Sequence, residues 1–152
     1  MLLTQLKNKY GICLALFHEI TGAYIIYRSQ NLSPEVTAQA VAWSMAAGES
    51  FQQSSSDYNE GEAIITIPDI KKMVFFYFFL FNPKEKIDPR TELSPGVLVF
   101  LADPNQQTAL YNDSPLLSSV VRILISLLRP YFSRCEPEGD FSRIVKIIDQ
   151  YL

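Results

Sequence analysis

Few residues in this chain have the types that catalysis requires. There is one histidine, His18, and there are two cysteines, Cys13 and Cys135. Any Ser-His-Asp or Cys-His arrangement must therefore centre on His18. That residue ends an apolar run beside Glu19 and reads as a structural strand-end histidine. Zinc needs several nitrogen or sulfur ligands together, and none stands near His18 in the sequence. Asp57, Glu60 and Glu62 cluster around a polar segment, where carboxylates can hold a cation weakly. Their spacing does not match an EF-hand loop, so a solvated loop is expected. Ser54, Ser55 and Ser56 offer hydroxyls for phosphorylation, but no pattern marks them. The six glycines form neither a Gly-x-x-x-x-Gly-Lys loop nor Gly-x-Gly-x-x-Gly, and His-Glu-x-x-His is absent. No catalytic residue, metal site or cofactor is expected, and the chain reads as a non-enzyme.

The bulk properties narrow the remaining classes. The 152 residues suit one domain with its own core, and 48% hydrophobic against 19% charged residues argues against disorder. A net charge of −3 and a pI near 5.1 do not give the basic footprint that nucleic-acid binding needs. The late basic residues Arg122, Arg129, Arg134, Arg143 and Lys146 alternate with Glu136, Glu138, Asp140 and Asp149, as a mixed solvated face does. Cys13 sits inside an apolar strand, and neither cysteine has a Cys-x-x-Cys partner, which fits a reducing cytoplasm. Lys7 and Lys9 precede an apolar run as in a signal peptide. That run stops at His18-Glu19 without a small-residue cleavage pattern, so secretion is not expected. The most apolar stretch, Met73 to Phe81, is nine residues long, against about 20 for a bilayer-spanning helix. It reads as a buried strand, and no transmembrane segment is expected.

The elements that must carry any site follow from patterning. Ile12 to Phe17 and Ala23 to Tyr27, joined through Ile20-Thr21-Gly22, predict an antiparallel hairpin. Ser33 as cap and Pro34 at the first position predict a helix to about Ala47, with Gly48 as its stop. Strands are expected at Ala63 to Ile67, Met73 to Phe81 and Val97 to Ala102, separated by Pro68-Asp69 and by a charged, proline-rich loop from Lys84 to Pro95. Ser114-Pro115 predicts a helix through Leu116 to Arg129, ending at Pro130. Its polar arc holds Ser118, Ser119, Arg122, Ser126 and Arg129. Asp140 caps a last helix, 140–152, with Phe141, Ile144, Val145, Ile148 and Tyr151 at helical spacing. Met1 to Lys9 reads as too short and weakly patterned for a helix.

In the central run Phe75, Tyr77 and Phe79 point one way and Phe76, Phe78 and Leu80 the other. A strand apolar on both sides has both faces covered. The order β-β-α-β-β-β-α-α therefore predicts an α+β fold, with an antiparallel sheet between the first helix and the C-terminal helices.

This order resembles the longin domain, and the opening Leu14-Ala15-Leu16-Phe17-His18-Glu19-Ile20-Thr21-Gly22-Ala23-Tyr24-Ile25-Ile26-Tyr27 looks like that family's first hairpin. The resemblance covers about 11–134, within a single domain spanning 1–152. It implies a five-stranded antiparallel sheet with one helix on one face and two on the other. The related roadblock domains begin with an additional helix. Longin resemblance also implies a binding role without general catalytic residues, in vesicle-traffic complexes or in the regulation of small GTPases. It further implies a cytoplasmic location, with peripheral attachment to membranes left open.

Two surfaces look incomplete in a monomer. The first predicted helix carries one apolar stripe of Val36, Ala40, Trp43 and Ala47, and an opposite stripe of Ala38, Val41, Ala42 and Met45. A helix on one sheet face buries one stripe, so partner-binding residues are expected among Ala38, Val41, Ala42, Trp43 and Met45. Trp43 takes part if its stripe faces out, and Met45 if the other does. The longin strand order also makes Ala63-Ile64-Ile65-Thr66-Ile67 an edge, apolar and without lysine, which pairing or a cover must protect. The expected partner is a protein: a second copy or a similar domain, burying on the order of 1,200–2,000 Å², or a small GTPase. The alternative is a PAS- or profilin-like sensor with an apolar pocket lined by the Phe75 to Phe81 aromatics.

Overall fold

The computed structural model describes residues 2–50, 60–84 and 93–152. Along them run α1 (Leu2–Lys9), β1 (Gly11–His18), β2 (Gly22–Arg28), α2 (Pro34–Glu49), β3 (Gly61–Ile67), β4 (Lys72–Phe81), β5 (Ser94–Ala102), α3 (Gln107–Phe132) and α4 (Ser142–Tyr151). The strands form one five-stranded sheet in the order β2-β1-β5-β4-β3, with every neighbouring pair antiparallel. Helix α2 lies on one face, and α3 and α4 lie on the other. The α+β class read from the sequence is that of the structure, and from β1 onward so is the β-β-α-β-β-β-α-α order.

The doubly apolar β4 divides two cores as its alternation requires. Met73, Phe75, Tyr77, Phe79 and Phe81 join α3, α4 and α1 in one cluster. Val74, Phe76, Phe78 and Leu80 join α2 in the other. On the larger side Phe79 stacks on Phe132 with ring centroids 5.2 Å apart. Helix α3 is long and apolar enough to cross a bilayer. Its Leu110, Leu117, Val121, Leu124, Ile125, Leu128 and Phe132 are buried against the sheet instead.

Three elements differ from expectation. The opening residues do form a helix, α1. An eight-residue helix is marginal alone, but here Leu6 is buried and the Lys7 N–H donates to the Leu152 carbonyl at 3.3 Å. This helix corrects the expectation that the chain, unlike roadblock domains, has no helix before its first strand. Helix α3 begins at Gln107 rather than at Ser114-Pro115 and passes through both prolines. Pro115 has no N–H for the Tyr111 carbonyl, and the Ser114 hydroxyl donates to that carbonyl at 2.8 Å. Gly48 does not stop α2 but lies inside it. A Cβ there would sit 2.1 Å from Phe78 Cδ2, so glycine is required for close approach of helix and sheet. The Ser33 cap is as expected, accepting from the Val36 N–H at 3.2 Å. Asp140 Oδ1 accepts from the Ser142 N–H at 2.9 Å at the start of α4. Asp57 and the serine run lie outside the described residues.

Candidate protein-docking surface

Among the described residues, strand β3 is an outer strand with only β4 beside it. Its side chains divide between the two cores: Ile64 packs toward α3, and Ala63 and Ile65 pack toward α2. Ala63, Ile64 and Ile65 are half-buried and Thr66 is exposed. Ile67, expected on the docking edge, is instead fully buried in the α2-side core. A short helical turn at Pro68–Ile70 follows it, and Ile67 leaves the docking set.

Backbone direction follows from β4. Leu80 is opposite Pro95 of β5, which has no N–H to give. The Leu80 N–H donates to Glu60 Oε2 at 2.7 Å, and its carbonyl accepts from Arg129. Both groups therefore point to the β3 side. Direction alternates along an antiparallel strand, so Phe78, Phe76 and Val74 point the same way, toward Gly61, Ala63 and Ile65. The N–H and C=O groups of Glu62, Ile64 and Thr66 consequently face the open edge.

Strand β2, the other outer strand, is protected. Its pairing with β1 shifts register between Leu14 and Ala15, a bulge that twists an edge away from strand addition. Exposed Arg28 ends it, and the Tyr27 hydroxyl bonds Asp149 of α4 at 3.0 Å.

Helix α2 turns a different face inward from either expected stripe. Thr37, Ala40, Val41, Ser44, Met45 and Gly48 are buried. Val41 and Met45 therefore belong to the core and not to a docking face. The reason is complementarity with β4, whose Phe76 and Phe78 occupy that side of the sheet and leave room for small helix residues. Thr37 remains satisfied because its hydroxyl donates to the Ser33 carbonyl at 2.7 Å. The outward face holds Ala38, Ala42 and Ala46, all exposed, and Trp43 at 43% exposure.

The groups singled out for chemistry have structural roles. His18 Nδ1 accepts from the Ile20 and Thr21 N–H groups at 3.2 and 3.3 Å and closes the hairpin turn. Burial pushes the Cys13 thiol up to about 12 and Cys135 up to about 11, far from the depressed values of reactive thiols. Glu60 and Glu62, expected in a solvated loop, are instead ion-paired, Glu60 with Arg129 and Glu62 with Arg122 at 2.9 Å. Among the described residues no group of three or more His, Cys, Asp or Glu is placed to hold a metal ion. Two exposed α3 side chains were not anticipated, Ile123 at 58% and Leu127 at 42%. Their i, i+4 spacing opposite the buried arc was the signal.

Against solved structures, the chain superposes on the K. lactis Lst4 longin domain with a TM-score of 0.58, covering 93% of this chain and 90% of that one. The fold is longin-like. The likeness is one of shape, since the identity is 11%. No protein-family model and no curated protein sequence matches the chain. The longin-like sheet gives β3 its edge position, which the resemblance implied.

Proposed function

We propose that this chain is a non-catalytic docking module of longin type, which joins a second copy or a similar domain along β3 and the outward face of α2. The observation that carries this reading is the inequality of the two sheet edges. Strand β2 is bulged, ends in a charge and is tied to α4, whereas β3 offers three outward residues in a regular register. An edge of this kind recruits another strand.

The sequence of β3 suits its own copy. Two copies paired antiparallel about Ile64 set Ile64 against Ile64 and Glu62 against Thr66. Pairing about Glu62 would instead oppose two carboxylates, which destabilises a sheet. By the longin resemblance, such a module serves as a scaffold or subunit of a small-GTPase-linked or traffic-like complex, cytoplasmic or held at a membrane surface. The sensor alternative is less well supported. The β4 aromatics pack on one another and on Phe132; surface clefts of about 400 and 950 Å³ reach Phe81 of that set, and one of about 1020 Å³ reaches none of it.

Light scattering across micromolar concentrations, with amide exchange on β3, tests the reading. Concentration-dependent mass with new protection at Glu62, Ile64 and Thr66 supports it. A stable monomer whose β3 amides stay unprotected overturns self-association.

A further inference from the structure

We propose that Glu60 and Arg129 form a cap on the overhanging end of β4, a stop that confines strand addition to β3. The β3–β4 ladder ends at Gly61 opposite Phe78. The next β4 residue facing that side is Leu80, which has no strand partner there among the described residues. Its N–H donates to Glu60 Oε2 at 2.7 Å and its C=O accepts from Arg129 Nη1. The two side chains thus supply the acceptor and the donor that a paired residue would supply.

The cap is held rigid by its own bonds. Arg129 grips the Glu60 carboxylate with both nitrogens, at 2.8 and 3.0 Å, the forked geometry in which arginine surpasses lysine. The Tyr77 hydroxyl donates to Glu60 Oε1 at 3.1 Å. A part-exposed ion pair contributes little to stability by itself, so its value here lies in occupying Leu80. A bare N–H and C=O at a sheet edge would lengthen the docking edge past β3 and allow the partner strand to slip in register. Confinement of docking rests on the β3 reading above, while the cap on Leu80 does not.

The test is amide exchange at Leu80 in the wild-type chain and in the variants Glu60→Gln, Glu60→Ala and Arg129→Ala, together with light scattering. Glu60→Gln keeps an oxygen for the Leu80 N–H and Glu60→Ala does not. The expected result is slow exchange in wild type, and exchange roughly three- to tenfold faster in Glu60→Ala than in Glu60→Gln, the range of one net hydrogen bond. In Arg129→Ala, with the carbonyl freed, assemblies larger than the wild type's are expected. If Glu60→Ala does not fold, Glu60→Gln and Arg129→Ala carry the comparison against wild type. Equal exchange in Glu60→Gln and Glu60→Ala would mark a plain ion pair and overturn the cap. So would a wild-type Leu80 amide that exchanges as freely as that of Thr66. A monomeric wild type with Leu80 protected removes the docking reading and leaves the cap standing.

Discussion

Proline scanning of β3 separates the edge from the ladder. Proline deletes one N–H and prefers the extended backbone of a strand edge. At Ala63 the lost N–H faces β4, opposite Phe76, so Ala63→Pro leaves a carbonyl of β4 without its donor inside the sheet. An unmet buried acceptor costs about 1–3 kcal/mol, and the lost bond adds about 1. For a chain of this size each kcal/mol lowers Tm by roughly 2–4 °C, so Ala63→Pro should melt about 5–15 °C below wild type. At Thr66 the N–H faces solvent and the side chain is exposed. Thr66→Pro therefore removes no internal bond, and its cost should stay below about 1 kcal/mol.

Association should show the opposite order. In the antiparallel pairing about Ile64, Thr66→Pro removes one interchain bond at each end of a symmetric dimer. Two bonds of about 0.5–1.5 kcal/mol each correspond to roughly a 5- to 150-fold weaker dimer. Thermal melts give the first quantity, and light scattering against concentration gives the second. Equal destabilisation by the two prolines would refute the assigned alternation. A stable Thr66→Pro chain that still dimerises as wild type would refute docking through β3.

Further substitutions probe other parts of the same reasoning. Met45→Ala, at a buried position, should cost about 2–5 kcal/mol in urea denaturation, whereas Trp43→Ala should cost less and weaken association instead. Gly48→Ala gains about 1 kcal/mol of helix propensity, but the 2.1 Å approach to Phe78 should make it destabilising by about 1–3 kcal/mol net, seen as a lower urea midpoint. Burial alone would raise the Glu60 carboxyl, but Arg129, the Leu80 N–H and Tyr77 together hold it below the ordinary range. Its contribution should be complete above the unfolded carboxyl's pKa and should disappear as pH falls through the lower, folded value. Urea midpoints from neutral pH into that acid window should thus fall less steeply in Glu60→Gln than in wild type. Cys13, fully buried with its thiol raised to about 12, should resist alkylation until the chain unfolds, as mass spectrometry of timed reactions would show.

The strand alternation was legible because β4 is apolar on both faces, and a sheet covered on both sides admits few other patterns. The hairpin and the Ser33 cap were legible for local reasons: a turn and a helix start are written in adjacent residues. Helix α2 was not, because its inward face is chosen by Phe76 and Phe78, some thirty residues later in the chain. Alanine, serine, threonine and glycine on that face read as neutral or polar, yet their small size is what lets the helix sit against those rings. Helix α1 depends on Leu152 at the far end of the sequence, and no local pattern could announce it. The polar arc of α3 was seen, but the reach of Arg122 to Glu62 on β3 and of Arg129 to Glu60 just before it needs the fold.

A chain that merely avoided aggregation would blunt every exposed strand, and this one does not. At β2 the register slips, a cation ends the strand and α4 is bonded alongside. At the end of β4 beyond Phe78, two charged side chains occupy the backbone groups of Leu80. Between these guarded places lie Glu62, Ile64 and Thr66, with their backbone groups directed outward and no bulge or proline among them. The side chain of Glu62 is drawn toward α3 by Ser118 at 2.7 Å and Arg122 at 2.9 Å. On the proposed docking reading, protection elsewhere would make the opening at β3 selective, because an arriving strand would meet one segment of fixed length and register. Trp43 and the alanines of α2 add an exposed apolar surface beside it on one face. An edge so bounded favours a single defined companion over an open-ended stack, and this is the physical ground for reading the molecule as one half of an assembly.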